Sequence, residues 1–437
     1  MMTNLKKCVL TLATIASLTL GATTASFASD DVNARIEALE AALKELRGEV
    51  KARDEKIAAM EVKTAEIDKM PIFSDTKLEM ESRDGNFSMG IAGRIQVDAY
   101  AIDDGSSAKN PMGNGMELRR ARLGAYGKMY GDWKYKFEVE YAGDKVTVKD
   151  AFVETKLAKN LGIRVGHFKE YYGIDNLTSD NSVTFMERSI SSVYWPEEAM
   201  GAGLAYTDGK LYGVQGGFFT PGVVNGGPGD DSDWSVTGRA YVAPEVAGGI
   251  VHMGANASYR GYANSATTTT KFEQRPESHI AEKVLRTGNI SNPASETRFG
   301  PEVAATFGAF TVQAQYDWST IDRLNGAPSV STEGGYAEAS WFVTGEERNY
   351  SVKTGSFGRT DATNAIQLAA RISHLDFSDP VLTDTRRGIE DNITLGANYY
   401  FNPNVRVMLN YVLADVDYTV GADETYNIVQ SRVQLDW

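Results

Sequence analysis

Hydrophobic and polar residues alternate with a period of two along most of the chain after Phe87. In one segment Phe310 and Val312 share one face, while Thr311 and Gln313 share the other. Such alternation predicts β-strands with one apolar and one polar face. About sixteen segments of this kind follow one another, with predicted starts near positions 87, 117, 134, 146, 161, 201, 210, 233, 248, 298, 309, 334, 364, 390, 403 and 425.

The number and length of these segments favour an all-β membrane protein, an antiparallel transmembrane β-barrel of about 16 strands. An even number of strands of roughly ten residues is typical of outer-membrane barrels. Charges are nearly absent from the apolar faces, where one would cost about 2–4 kcal/mol near the lipid midplane. A soluble sandwich would alternate in the same way, but not over so many strands without a second domain boundary. The stretch 345–363 is long for a periplasmic turn and leaves the strand count there open.

A different period precedes the strands. Apolar residues recur every three or four positions from Val32 to Ile67, and charged residues fill most other positions. This heptad pattern over about five repeats predicts an α-helical coiled coil, with a single amphipathic helix as the alternative. A trimer is compatible with the pattern, which does not fix the number of chains. Pro71 ends the segment.

The first residues predict a secretory signal. Lys6 and Lys7 precede an apolar run at 9–22, and Ser26-Phe27-Ala28 offers small residues for cleavage after Ala28. The run is too short for a membrane anchor, the alternative interpretation. The predicted organisation is a signal peptide (1–28), a periplasmic coiled coil (29–70), a linker (71–86) and the barrel (87–437). We therefore expect the protein in the outer membrane of a Gram-negative bacterium.

Charge and residue usage exclude several functions. The net charge is −14, or −16 without Lys6 and Lys7, which argues against nucleic-acid binding because that needs a basic face. Cys8 lies in the predicted signal, so no disulfide framework is expected. The four histidines lack metal-ligand spacing, and no Gly-x-Ser-x-Gly motif is present. We expect no enzyme, no metal site and no cofactor.

The polar faces of the strands carry the candidate functional residues. Rings of cationic side chains select anions in pores, and arginine binds two oxygens of an oxyanion at once. Acidic residues such as Glu138 and Asp150 share these faces, so it is equally open that the charges pair across the wall and only support the barrel. Alternation places ten cations towards the lumen: Arg94, Arg120, Arg122, Lys134, Lys136, Arg164, Arg239, Arg371, Arg406 and Arg432.

Segment 169–200 is the candidate constriction loop. It follows the fifth strand and mixes aromatic, polar and charged residues, so it could narrow the pore if it folds inward. The alternative is a loop that caps the rim. The residues that would line the narrowed pore are Lys169, Glu170, Tyr171, Tyr172, Glu187, Arg188 and Trp195.

Several long motifs resemble the phosphate-selective porin O and P family. They are LRRARLGAYGKMYGDWKYKFEVEYAG, VKDAFVETKL and IRVGHFKEYYGIDNLTSDNSVTFMERS within 117–189, with WFVTGEERNY at 341–350, LAARISHLDFSD at 368–379 and NPNVRVMLNYV at 402–412. The resemblance implies a sixteen-stranded barrel, usually a homotrimer, with an inward-folded third external loop. It also implies passive, anion-preferring diffusion, with phosphate or polyphosphate as substrates.

One departure from the family limits this inference. The family's phosphate selectivity is associated with a ladder of arginines down the channel and lysines near the constriction. Here the eighth strand, WSVTGRAYVAP, supplies only Arg239, whereas Lys169 and Arg188 match the loop motif in position. The sequence therefore predicts a porin for small hydrophilic solutes that prefers anions, phosphate among the candidates. The alternative is an envelope tether whose coiled coil contacts peptidoglycan.

Overall fold

A computed structural model describes residues 29–67, 72–73, 78–104, 112–143, 145–222, 233–263 and 265–437. The chain divides into two units, Met1–Met70 and Pro71–Trp437. The predicted signal peptide lies outside the described residues. None of the helices described is both long enough and apolar enough to cross a membrane.

The first unit contains one helix, α1, Ser29–Ile67. Its heptad positions keep large apolar side chains exposed in the single chain, between 45% and 68% for Val32, Ile36, Leu39, Leu43, Leu46, Val50, Ile57 and Met60. A helix with an uncovered apolar stripe is stabilised by packing against a partner. The helix is present, and its assembly into a coiled coil stays a prediction.

The second unit is a closed barrel of sixteen antiparallel strands, as the sequence predicted. The strands, numbered here in chain order, are β1 Ser88–Asp103, β2 Gly115–Met129, β3 Trp133–Glu140, β4 Thr147–Ala158, β5 Leu161–Lys169, β6 Glu198–Thr207, β7 Tyr212–Pro221, β8 Trp234–Val242, β9 Gly249–Gly261, β10 Pro293–Phe307, β11 Phe310–Arg323, β12 Val330–Phe342, β13 Ala365–Asp376, β14 Gly388–Asn402, β15 Val405–Tyr418 and β16 Glu424–Asp436.

Each strand pairs with the next, and β16 pairs with β1, for example Val433 with Val97. Closure leaves no open edge between these sixteen strands, so their backbone donors and acceptors can be paired within lipid. Within the predicted linker, Ile72–Phe73 pairs with Glu79–Glu81, which extends the sheet beside β1. Glu245–Val246 forms a further short strand in the turn before β9.

The alternation of residues decides which side of the wall faces lipid. Val303, Val312 and Leu409 point outward and are about half exposed, whereas Gln313 and Asn410 point inward and are buried. An apolar outer band with a polar interior is the arrangement of membrane barrels. The polar residues are buried because three connecting segments fill the lumen.

These segments fold into the barrel from its two ends. The constriction loop (170–197) contains α2, Ile174–Leu177, and a 3-10 helix, Ile190–Tyr194. The second loop (262–292) pairs Thr269–Thr270 with Ile290–Ser291 and Glu273–Gln274 with Leu285–Arg286. The insert (343–364) enters from the end with the short turns and contains a hairpin of Tyr350–Ser351 and Ser356–Phe357. The insert adds no strand to the barrel wall, so the strand count that the sequence left open at 345–363 is sixteen. A 3-10 turn, Leu324–Gly326, follows β11.

A hydrophobic core holds the constriction loop and the second loop together. Tyr194 of the constriction loop packs edge-on against Phe272 of the second loop, with ring centroids 5.4 Å apart. Phe272 stacks on Phe377, which follows β13, at 6.0 Å. Aromatic pairs of this geometry add about 0.5–1.5 kcal/mol beyond the burial of their area. The loops are therefore packed structure, not free surface segments.

Candidate ion-conducting constriction

A β-bulge in β2 gathers three arginines on the lumen face. Gln96 of β1 pairs with Arg120, but the next residue, Val97, pairs with Leu118, so Arg119 is the extra residue. A bulge re-aims the side chains around it. Arg119 consequently faces the lumen beside Arg120 and Arg122, although strict alternation from Arg120 would point it towards lipid.

These arginines meet a carboxylate of the constriction loop. Asp180 Oδ1 accepts a hydrogen bond from Arg188 Nη1 at 2.6 Å. Its Oδ2 lies 3.4 Å from Arg94 Nη1, 3.3 Å from Arg120 Nε and 3.2 Å from Arg122 Nη2. Burial acts to raise the pKa of Asp180, but Arg120, Arg188, Lys169 and Arg122 outweigh it and hold that pKa well below its ordinary range.

A second acid of the loop binds the wall nearby. Glu187 accepts hydrogen bonds from Arg119 at 2.8 and 2.9 Å and from Arg432 at 2.8 Å. Arg432 also binds Asp98 through two nitrogens, at 2.7 and 2.6 Å. Burial opposes ionisation of Glu187, yet Arg119 and Arg432 keep its pKa well below the ordinary value.

The opposite wall anchors the start and end of the constriction loop. Tyr172 Oη and Trp195 Nε1 both donate to Asp317 of β11, at 2.7 and 2.9 Å. Glu170 accepts a hydrogen bond from Ser235 of β8 at 3.1 Å. These contacts span the lumen because Asp317 lies far from the arginines of β1 and β2 along the closed sheet.

Four of the ten predicted lumen cations hold these segments in place. Arg371 donates to the carbonyl of Glu187 at 3.1 Å, and Arg406 to the carbonyl of Val183 at 2.9 Å. Arg432 donates to the carbonyl of Met186. Arg239 binds Glu302 and the carbonyls of Thr354 and Gly355 in the insert.

Three further predicted cations pair with acids along the wall. Lys136 Nζ lies 2.6 Å from Asp150, and Arg164 Nη2 lies 2.6 Å from Glu154. Lys134 lies 3.6 Å from the same Glu154 and is more than half exposed. The remaining three, Arg94, Arg120 and Arg122, are the ones that the fold brings together at the constriction loop.

The sequence prediction did not include three residues of this site. Arg119 and Lys149 were not among the predicted lumen cations, and Asp180 was not singled out. Lys149 is the unpaired residue of a bulge in β4, and its Nζ donates to Glu198 at 3.1 Å. The available signal was the pair Arg119-Arg120, because two successive charges on a membrane strand cannot both face the lumen without a bulge.

An open cavity of about 770 Å³ borders the cluster, with Arg119, Arg120, Arg122, Lys169, Asp180 and Arg188 in its lining. At the loop tip four arginines, Arg94, Arg120, Arg122 and Arg188, lie within 3.4 Å of a single carboxylate, that of Asp180. Within the described residues, no group of His, Cys, Asp and Glu is arranged to hold a metal ion.

The sequence model of the family "Phosphate-selective porin O and P" matches residues 89–437. The chain belongs to the phosphate-selective porin O and P family. It is an outer-membrane porin, a channel protein. Porin O of Pseudomonas aeruginosa is 26% identical to this porin over 389 residues, which cover 78% of this chain and 86% of Porin O.

Solved porins share the barrel. An anion-selective porin from Comamonas acidovorans has a TM-score of 0.51 and 12% identity, with 80% of this porin and 100% of that chain covered. OmpT of Vibrio cholerae, in its trimer form, has a TM-score of 0.50 and 13% identity, with 80% and 99% covered. At these identities the likeness concerns the fold.

Proposed function

We propose that this porin conducts small hydrophilic anions in preference to cations. The observation that carries the proposal is the convergence of four arginines, Arg94, Arg120, Arg122 and Arg188, on the single carboxylate of Asp180 inside the lumen. Guanidinium groups gathered behind low-dielectric walls raise the local concentration of anions and repel cations. The channel is passive and has no enzymatic activity in this proposal.

Oxyanions such as phosphate fit the chemistry of the cavity. Arg119, Arg120 and Arg122 present planar guanidinium groups, which match the geometry of two oxygens on one anion. The family is named for phosphate selectivity, and the Comamonas porin with the same fold is described as anion-selective. Arg239 binds carbonyls of the insert, and its strand carries no further arginine that could continue a row along the channel. We therefore propose anion preference without exclusive selectivity for phosphate.

Planar-bilayer recording tests the proposal. Under a KCl gradient, we expect a zero-current potential of the sign that reports chloride permeation. The variant carrying Arg120→Glu and Arg122→Glu should lose this preference, because two cations of the cluster become acids. Lys134→Glu serves as the control, since Lys134 is more than half exposed and lies outside the cluster. A cation-selective potential for the natural protein would contradict the proposal.

We also propose that the porin is a homotrimer with α1 in the periplasm. The support is the uncovered apolar stripe of α1 and the trimer form of OmpT, a barrel of similar fold. The same helix would suit a tether to peptidoglycan, since a 39-residue helix extends roughly 60 Å at about 1.5 Å per residue. The exposed stripe favours self-assembly, because a helix that packs against copies of itself buries that stripe.

A further inference from the structure

The carboxylate of Asp180 lies among four arginines inside the lumen. We propose that Asp180 is a tethered competitor: its carboxylate occupies the anion site formed by Arg94, Arg120, Arg122 and Arg188, and sets how tightly the constriction holds a passing anion. The inference rests on the proposed anion channel. It assigns Asp180 as a residue that determines affinity and selectivity.

The geometry around Asp180 resembles that of a bound anion. One oxygen, Oδ2, faces three guanidinium groups of the wall at 3.2–3.4 Å, while Oδ1 binds Arg188 at 2.6 Å. The residue is only 6% exposed. Three arginines of strands β1 and β2 therefore converge on a carboxylate that the constriction loop supplies.

The contacts with the wall leave donor capacity unused. Among the described residues, Arg120 Nε is buried and has no hydrogen-bond partner, although it lies 3.3 Å from Asp180. Arg122 Nη2 faces Asp180 at 3.2 Å as an ion pair, while its Nε binds Glu140. A free oxyanion brings more oxygens than one carboxylate and can take up these donors.

The cavity gives a solute access to this cluster. Arg120, Arg122, Arg188 and Asp180 itself are part of the lining of the space of about 770 Å³. An anion that enters must share these arginines with Asp180 or displace it. Conduction requires binding that is weak enough to release the ion. Asp180 weakens the binding of anions because its negative charge is a fixed part of the protein and stays beside these arginines.

Phosphate block of chloride current measures the competition. The probe is inorganic phosphate, added to the full-length porin and to Asp180→Asn in planar bilayers. Asparagine keeps the shape of the side chain and removes its charge. We expect the half-blocking phosphate concentration to fall by about tenfold or more, because the arginines that Asp180 no longer binds can form charge-assisted contacts with phosphate. The chloride preference should rise in parallel.

Glu198→Gln is the matched control. Glu198 also lines the cavity, but it binds Lys149 at 3.1 Å instead of the arginine cluster. The control removes the same charge and leaves Asp180 in its place, so phosphate block should change much less than in Asp180→Asn. Unchanged or weaker block in Asp180→Asn, or an equal change in both variants, overturns the inference.

A double variant separates occupancy from net charge. Asp180→Asn with Arg188→Gln has the formal charge of the natural protein, yet it leaves Arg94, Arg120 and Arg122 without the competing carboxylate. If Asp180→Asn alone does not assemble, the double variant still allows the test, because the net charge of the cluster is unchanged. We expect tighter phosphate block than in the natural protein, and block of natural strength overturns the inference.

The outcomes distinguish this inference from the proposed function. Cation preference of the natural protein contradicts the anion channel, whereas tighter phosphate block in Asp180→Asn still supports the tethered competitor. Anion preference of the natural protein with unchanged block in the variants overturns the competitor alone.

Discussion

At the residue scale, the charged side chains of the lumen are of two kinds: some bind the loops, and others line the cavity. Arg432 is an example of the first kind. Its side chain is fully buried, and it binds Asp98, Glu187 and the carbonyl of Met186 at once. Removing one partner of such a buried network leaves the other charges unpaired in a medium of low dielectric constant.

We therefore predict that Arg432→Met destabilises the barrel by about 3–5 kcal/mol, because the buried carboxylate of Asp98 loses its partner. Unfolding by urea in detergent, followed by tryptophan fluorescence, measures the change. Lys134→Met is the control, since that lysine is more than half exposed and should contribute about 0–1 kcal/mol. Equal effects of the two substitutions would contradict the assignment of Arg432 as a structural residue.

The pKa of Asp180 predicts a pH dependence. The pKa is lowered in the folded protein, so ionised Asp180 contributes stability above its unfolded value of about 4 and loses it as pH falls towards the folded pKa. The difference in thermal midpoint between the natural protein and Asp180→Asn should be constant from pH 8 to 5 and shrink below about pH 4. A loss centred near pH 6 would argue against the lowered pKa.

The residues of the site were predictable from the sequence only as far as strand parity holds. Parity placed Arg94, Arg120 and Arg122 in the lumen because lipid excludes charge from the other face. It could not place Arg119, which a bulge turns inward. It also could not indicate that Asp180 reaches these three arginines, because the contacts join residues 58 or more positions apart through a loop.

At the element scale, the insert shows how a connection can become part of the channel. It contacts the constriction loop from the short-turn end, where Arg348 donates to the carbonyl of Ser182 at 3.3 Å. Phe357 N donates to Thr178 Oγ1 at 3.2 Å. The insert therefore supports the loop and occupies space beneath it.

We predict that replacing residues 345–364 with an Asn-Gly turn raises single-channel conductance. Two such residues suit a tight hairpin between β12 and β13, and the change removes Arg348, Tyr350 and Phe357 from the lumen. Single-channel recording at fixed salt provides the measurement. Glu347→Gln, an exposed position in the same insert, is the control and should keep the natural conductance. Unchanged conductance in the shortened variant would show that the insert does not narrow the pore.

The sequence predicted the strands better than the loops for a physical reason. Each wall strand must present an apolar face to lipid, so its pattern repeats and can be counted. The second loop and the insert carry no such repeat. They fold inward because scattered side chains such as Phe272 and Phe357 find partners that only the closed barrel brings near.

At the scale of the whole molecule, the final residue takes part in closing the barrel. Trp437 and Gly93 exchange backbone hydrogen bonds at 3.1 Å, so the end of the chain is fastened to β1. The Trp437 ring lies over Gly93, where a Cβ atom would come within 2.2 Å of it. Trp437 therefore packs where the last strand meets the first.

The helix α1 supplies the prediction that concerns assembly. If three copies bury the heptad stripe, Leu43→Asp should weaken the trimer by about 1.5–3 kcal/mol per chain, the value of burying one leucine. Lys44→Asp, one position off the stripe, is the control for the charge introduced. The temperature at which the unheated oligomer dissociates on a denaturing gel measures the change.

Deleting residues 29–67 separates self-assembly from tethering. The barrel has its own closed sheet and internal core, so it should still fold without the helix. If α1 joins the subunits, the deletion lowers the dissociation temperature and leaves the amount of porin recovered with isolated cell wall unchanged. If α1 binds peptidoglycan, recovery with the cell wall falls while the oligomer keeps its heat resistance. Because Leu43→Asp changes the stripe without shortening the helix, it should reproduce the effect of the deletion only in the first case.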